Sequence, residues 1–70
     1  MALRTRSFIV FFTGTYGGEE FRGNEAVQTT GSFVSWQSFV EEMMDVRGYD
    51  DCLITNIIEI NPSDYEDWIN

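Results

Sequence analysis

From Ser7 to Tyr16 the run SFIVFFTGTY is β-branched and aromatic, the composition of a strand. Phe8, Val10 and Phe12 fall on one side of it, Ile9 and Phe11 on the other. With both sides apolar, the strand is expected to be central, or covered on its second face by a partner. Gly17 and Gly18 then offer the positive φ angles of a two-residue hairpin turn. A return strand is expected from Glu19 to Thr30, with a bulge or irregularity at Gly23-Asn24.

Past Gly31 and Ser32 the period changes from two to that of a helix. Ser35 is placed to cap it, with Val34 before the cap and Phe39 within the helix as a hydrophobic staple. Trp36, Phe39, Val40 and Met43 recur at i, i+3, i+4 and i+7 and are expected to share the buried face. Ser38, Glu41, Glu42 and Asp45 fall opposite, and Gly48 ends the helix.

CLITNIIEI, Cys52 to Ile60, reads as a third strand stopped by Asn61-Pro62. In the tail SDYEDWI, Ser63 and Glu66 match a capping box, so one short helical turn would press Tyr65 or Trp68 on the body; a loose acidic tail is the alternative. The expected architecture is α+β: a three-stranded antiparallel sheet in strand-strand-helix-strand order, one amphipathic helix across a face, and a short acidic C-terminal segment. Residues 1–70 form a single domain in this reading, without repeats or a linker.

Composition supports a core in so short a chain. Of the 70 residues 43% are hydrophobic, with six Phe, two Trp and three Tyr, so no metal or disulfide need be invoked, although self-association can add stability. Cys52 is the only cysteine, which fits a reducing cytosol, and no histidine is present to activate it, so it is expected to pack in the core. The opening MALRTRSFIVFF imitates a signal peptide, but its apolar run, Phe8 to Phe12, is followed by TGTYGG and is shorter than the roughly 7–15 residues such a core needs. A soluble, cytoplasmic protein without membrane contact is expected.

Charge changes the picture most. Four arginines and no lysine face twelve acids, net -8. In residues 1–35 Arg4, Arg6 and Arg22 balance Glu19, Glu20 and Glu25; the second half sets Arg47 alone against all the remaining acids. That asymmetry argues against direct nucleic-acid binding and for a basic partner, a bound cation or simple solubility.

Lacking histidine, lysine and a second cysteine, the chain has no Ser-His-Asp or Cys-His nucleophile, no Schiff base and no cysteine-histidine zinc site. GTYGG lacks the G-K-[ST] ending of a phosphate loop. Paired carboxylates, Asp50 with Asp51 or Glu41 with Asp45, are the one arrangement left for acid–base work or for magnesium or calcium. DVRGYDD does not fit the helix-loop-helix calcium pattern, and exposed helical carboxylates are ordinarily solvated, so neither an enzyme nor a cofactor or metal site is expected.

The acidic helix face has a plain reading, solubility, and a sharper one. In the sharper one Glu41, Glu42, Asp45, Asp50 and Asp51, joined by Glu59 and the tail acids Asp64, Glu66 and Asp67, form a surface of spaced negative charge suited to a groove built for phosphates. Tyr49, Tyr65 and Trp68 are its candidate aromatic anchors.

In size, charge and element order, over roughly residues 7–60, the chain resembles the small acidic proteins with which bacteriophages disable host enzymes. GSFVSWQSFVEEM followed by DDCLITNIIEI is similar to the helix and last strand of phage uracil-DNA glycosylase inhibitors, and the element order also resembles small anti-CRISPR proteins. The resemblance implies a DNA-mimic inhibitor acting in the host bacterial cytoplasm, with Glu41, Glu42 and Asp45 in contact with a host protein or ribonucleoprotein that has a basic nucleic-acid groove. Phe39 would belong to the core. The neutral first half is less extreme than full DNA mimicry. The alternative is a structural or interaction module that self-associates, as a homodimer, through its strand edges and apolar faces, its acidity serving only solubility.

Overall fold

The structure, a computed structural model, describes residues 4–69; the first three residues of the opening stretch and Asn70 lie outside them. Its elements are β1 (Thr5–Tyr16), β2 (Glu19–Thr30), α1 (Trp36–Asp45), β3 (Asp51–Ile60) and α2 (Pro62–Ile69). β1 is central in an antiparallel sheet of order β2-β1-β3, the α+β arrangement that the apolar character of both its faces predicts.

The β1–β2 turn is Gly17-Gly18, with φ of 60° and 84°, as in a type I′ hairpin whose twist matches that of the strands it joins. From that turn the ladder runs unbroken from Tyr16↔Glu19 to Thr5↔Thr30, so the irregularity expected at Gly23-Asn24 does not exist. Gly23 is a glycine because the Phe12 ring lies over it: a Cβ there would meet Phe12 Cζ at 2.9 Å. Two pairs along, the relation is reversed, and the Phe21 ring lies 2.9 Å from where a Cβ of Gly14 would stand. Each glycine is thus roofed by an aromatic ring from the strand beside it.

The irregularity lies instead in β3. Phe11 pairs with Asn56 and Phe12 with Ile54, which leaves Thr55 as an extra residue whose hydroxyl donates to the Phe11 carbonyl at 3.1 Å. Paired residues of an antiparallel ladder share a face, so the bulge shifts the alternation of β3 by one. Cys52 and Ile54 before it, and Ile57 and Glu59 after it, share the face of Phe8, Val10 and Phe12; Leu53, Ile58 and Ile60 take the other.

α1 covers the first of these faces. Ser35 caps it, its hydroxyl accepting from the Ser38 N–H at 3.3 Å, and the stapling pair Val34 and Phe39 is buried. Phe39 and Met43 enter the core formed by Phe8, Val10, Phe12, Cys52 and Ile54, each worth about 1.5–3 kcal/mol of apolar burial. Gly48, at φ 77°, turns the chain so that the Tyr49 N–H donates back to the Met43 carbonyl. Trp36 does not join the buried face: it is 53% exposed. Val34 takes the first core slot, and Trp36, at the first position of α1, stays outside it.

Ser7 and Ile9, on the second face, are also buried, and α2 packs against β1 and β2 to cover that face. Ser7 keeps a partner there, its hydroxyl oxygen accepting from the Gln28 amide at 3.3 Å. α2 begins at Pro62 and is capped by Asn61, whose Oδ1 accepts from the Asp64 N–H at 3.0 Å. Ser63, expected to be the cap, already lies inside the helix and donates its hydroxyl to that same Asn61 oxygen. Tyr65 is half-buried, and Trp68 remains half-exposed. The tail is therefore two helical turns on the far side of the sheet from α1.

Candidate interaction surface

Glu41, Glu42 and Asp45 are exposed on α1, Glu42 on the flank toward β2, as the periodicity of the helix requires. Their only side-chain hydrogen bond among the described residues is from the Gln37 amide to Glu41 at 3.0 Å. The two ion pairs among the described residues lie elsewhere. Arg47 bonds Glu25 on β2, and Arg6 forms a two-point pair with Glu59, at 2.8 and 3.0 Å, while lying over the Phe8 and Phe33 rings. That pairing holds the Glu59 carboxyl below the ordinary carboxylate range. It also removes Glu59 from the set of unneutralised acids.

Asp50 and Asp51, expected beside the helix acids, are engaged in the fold. Asp50 ties the α1–β3 connection to the hairpin tip: its carboxylate accepts from the Gly17 N–H at 3.0 Å, and its own N–H donates to the Thr15 carbonyl at 2.9 Å. Asp51 pairs with Thr15 on the sheet face turned away from α1, and its carboxylate accepts from the Cys52 N–H at 2.8 Å. The structure therefore carries Glu41, Glu42 and Asp45 on α1, sets Asp50 in the α1–β3 connection and turns Asp51 to the other sheet face. Asp64, Glu66 and Asp67 lie on α2, across the sheet.

Tyr49 is not an exposed anchor. It is half-buried, with its ring 4.6 Å from Phe21, 6.2 Å from Tyr16 and 6.4 Å from Phe12. The turn at Gly48 points it inward, a consequence that residue type and spacing did not disclose. Cys52 is buried, and burial together with the Asp51 charge pushes its thiol upward, away from the reactive thiolate. Among the described residues no three carboxylates or thiols are placed to share a metal ion, and no helix is long and apolar enough to cross a membrane.

Two apolar surfaces lie open among the described residues, and the first of them went unnoticed in the sequence. On α1, Trp36 at 53%, the half-buried Val40 and Met44 at 40% exposure follow one another at i, i+4 and i+8. The second is on the sheet face that α2 leaves open, where Leu53 is 62% and Ile58 44% exposed next to a half-buried Phe11. A broad depression of about 480 Å³ adjoins it, lined in part by Thr13, Thr15, Glu20, Arg22 and Leu53, too open to enclose a small molecule. The signal for the first stripe was present as an i, i+4, i+8 run, but it competed with the i, i+3, i+4, i+7 run that shares Trp36 and Val40.

No family model matches the chain, and neither a curated protein nor a solved structure is significantly similar to it.

Proposed function

We propose that the protein is a non-enzymatic inhibitor of the phage type, which binds a host nucleic-acid-processing enzyme or CRISPR defence complex in the bacterial cytoplasm and blocks its DNA or RNA site. The observation that carries this reading is the state of Glu41, Glu42 and Asp45: three carboxylates on one exposed helix surface, with neither ion pair of the described residues spent on them. Unneutralised charge of one sign on a rigid helix accelerates encounter with a basic groove and disfavours acidic competitors. Asp50 and Asp51 are bonded within the fold and are left out of the proposed surface.

The test is a pull-down of the tagged protein from bacterial lysate at low and at physiological salt, with bound proteins identified by mass spectrometry. A basic nucleic-acid enzyme or guide-RNA complex that is recovered, weakens with salt and is lost on Glu41→Lys, Glu42→Lys and Asp45→Lys together supports the reading. A partner retained by the triple variant sinks it.

The open sheet face at Leu53 and Ile58 favours a second reading, a self-associating module whose acidity serves only solubility. Sedimentation over a concentration series decides it: a dimer that persists in the triple variant and is lost on Leu53→Lys supports self-association, and a monomer throughout ends it.

A further inference from the structure

The placement of Trp36 makes the acidic helix two-sided. One flank of α1, with Ser35, Ser38 and Glu42, borders Val27 and Thr29 of β2. The opposite flank therefore lies toward β3, against which α1 packs, and it carries Trp36, Val40 and Met44 as a ridge about 12 Å long. Glu41 follows Val40 directly and borders the ridge on its solvent side, with Asp45 and Glu42 farther round. An exposed tryptophan and methionine beside unneutralised carboxylates form an apolar strip with an acidic margin, the composition of a binding anchor more than of a solubility surface.

We propose that this ridge is the anchor by which the acidic helix holds its partner, and that it takes an amphipathic helix whose apolar face is bordered by lysine or arginine. The proposal rests on the reading of Glu41, Glu42 and Asp45 as a binding surface and adds to it: the acids steer encounter and Trp36 and Met44 set residence. Charge selects the occupant. A second copy would set its own acidic margin against this one, whereas a basic margin is complementary. The neighbouring β3 edge does not invite an added strand, because Thr55 bulges it and the N–H groups of Cys52 and Ile57 are bonded by the side chains of Asp51 and Asn56. An i, i+4, i+8 ridge is instead the surface that packs into the groove of another helix.

The test uses two leucine–lysine peptides of identical composition, one with its leucines on a single helical face and one with them scattered round the helix. Binding is followed by fluorescence of Trp36 in a Trp68→Phe background and, for the Trp36 variant, by fluorescence anisotropy of labelled peptide. The one-faced peptide is expected to bind at least about tenfold more tightly and to shift Trp36 emission to the blue. Trp36→Ala, or Met44→Ala, with unchanged far-UV circular dichroism, brings the two peptides within about twofold of each other, while the weaker electrostatic binding common to both survives. Equal binding of both peptides, or a preference that survives both substitutions, overturns the anchor and leaves the acidic surface standing. Failure of the acidic reading looks different: neither peptide binds, or binding is unmoved by the triple lysine variant. A dimer in sedimentation that Trp36→Ala dissolves would give the ridge to a second copy and overturn the proposal.

Discussion

Replacing Gly14 by alanine probes the closest approach in the sheet. Gly14 pairs with Phe21 on one side and with Cys52 on the other. Its added Cβ would stand 2.6 Å from the Asp51 carbonyl oxygen and 2.9 Å from Phe21 Cζ. A carbon–oxygen contact settles at about 3.3 Å or more, so the backbone would have to yield by roughly 0.7 Å. Neither neighbour yields freely. Asp51 begins β3 opposite Thr15, next to the Asp50 hydrogen bond to the Thr15 carbonyl, and Phe21 is held between Phe12 and Tyr49. Overpacking of this kind costs about 1–3 kcal/mol, against up to about 1 kcal/mol recovered by removing a glycine from a strand interior. Because the closest contact is to backbone, the cost falls in the upper part of that range, about 2–3 kcal/mol, and the expected net loss is about 1–2 kcal/mol. For a domain this small, with a urea slope near about 1 kcal/mol per molar, the unfolding midpoint falls by about 1–2 M. Gly18→Ala is the control: nothing lies within 4 Å of its Cβ, and its cost, about 1 kcal/mol, comes from φ 84° alone. Only Gly14→Ala should disturb the near-UV circular dichroism of the Phe21–Tyr49 cluster. A Gly14→Ala midpoint at or above that of the parent protein would refute the argument.

Glu59→Gln should lower the urea midpoint at neutral pH by removing the charge that Arg6 pairs. Because Arg6 depresses the folded Glu59 carboxyl, its contribution is complete above the unfolded value of about 4.3 and declines as pH falls through the lower folded one; the gap between variant and parent should close in acid, and a gap that stays constant refutes it. Asn61→Ala should cost α2 about 1 kcal/mol, raising hydrogen exchange of its amides about fivefold and leaving those of β1 protected. Greater loosening by Ser63→Ala than by Asn61→Ala would return the cap to Ser63.

Element order and type were legible because each signal was local: β-branched residues in β1, paired glycines at the turn, and a capped, periodic α1. What escaped was set by neighbours distant in sequence. Gly23 suggested a bulge, but its reason is the Phe12 ring on the adjacent strand, and the real bulge at Thr55 has no marker in its own residue type. Trp36 matched the helical period and was still left outside, because periodicity gives the direction of a side chain but not what lies beneath its end of the helix. At α2 two caps competed, and Asn61-Pro62 prevailed over Ser63 because proline fits the first helical position without losing a hydrogen bond. For the candidate surface, the helix acids were legible from spacing alone. The surroundings of Tyr49, Asp50 and Asp51 were not legible, because the turn after Gly48 sends a few adjacent residues in different directions.

β1 has a strand on either side and a helix over each face, and from Ser7 to Val10 every side chain is buried. The residues that hold the molecule together are therefore walled off from the surface, and the outer side of α1 stands apart from them. Such a division leaves the outer surface of α1 open to substitution while the spine stays fixed. Substitutions there are ones that selection for folding scarcely notices.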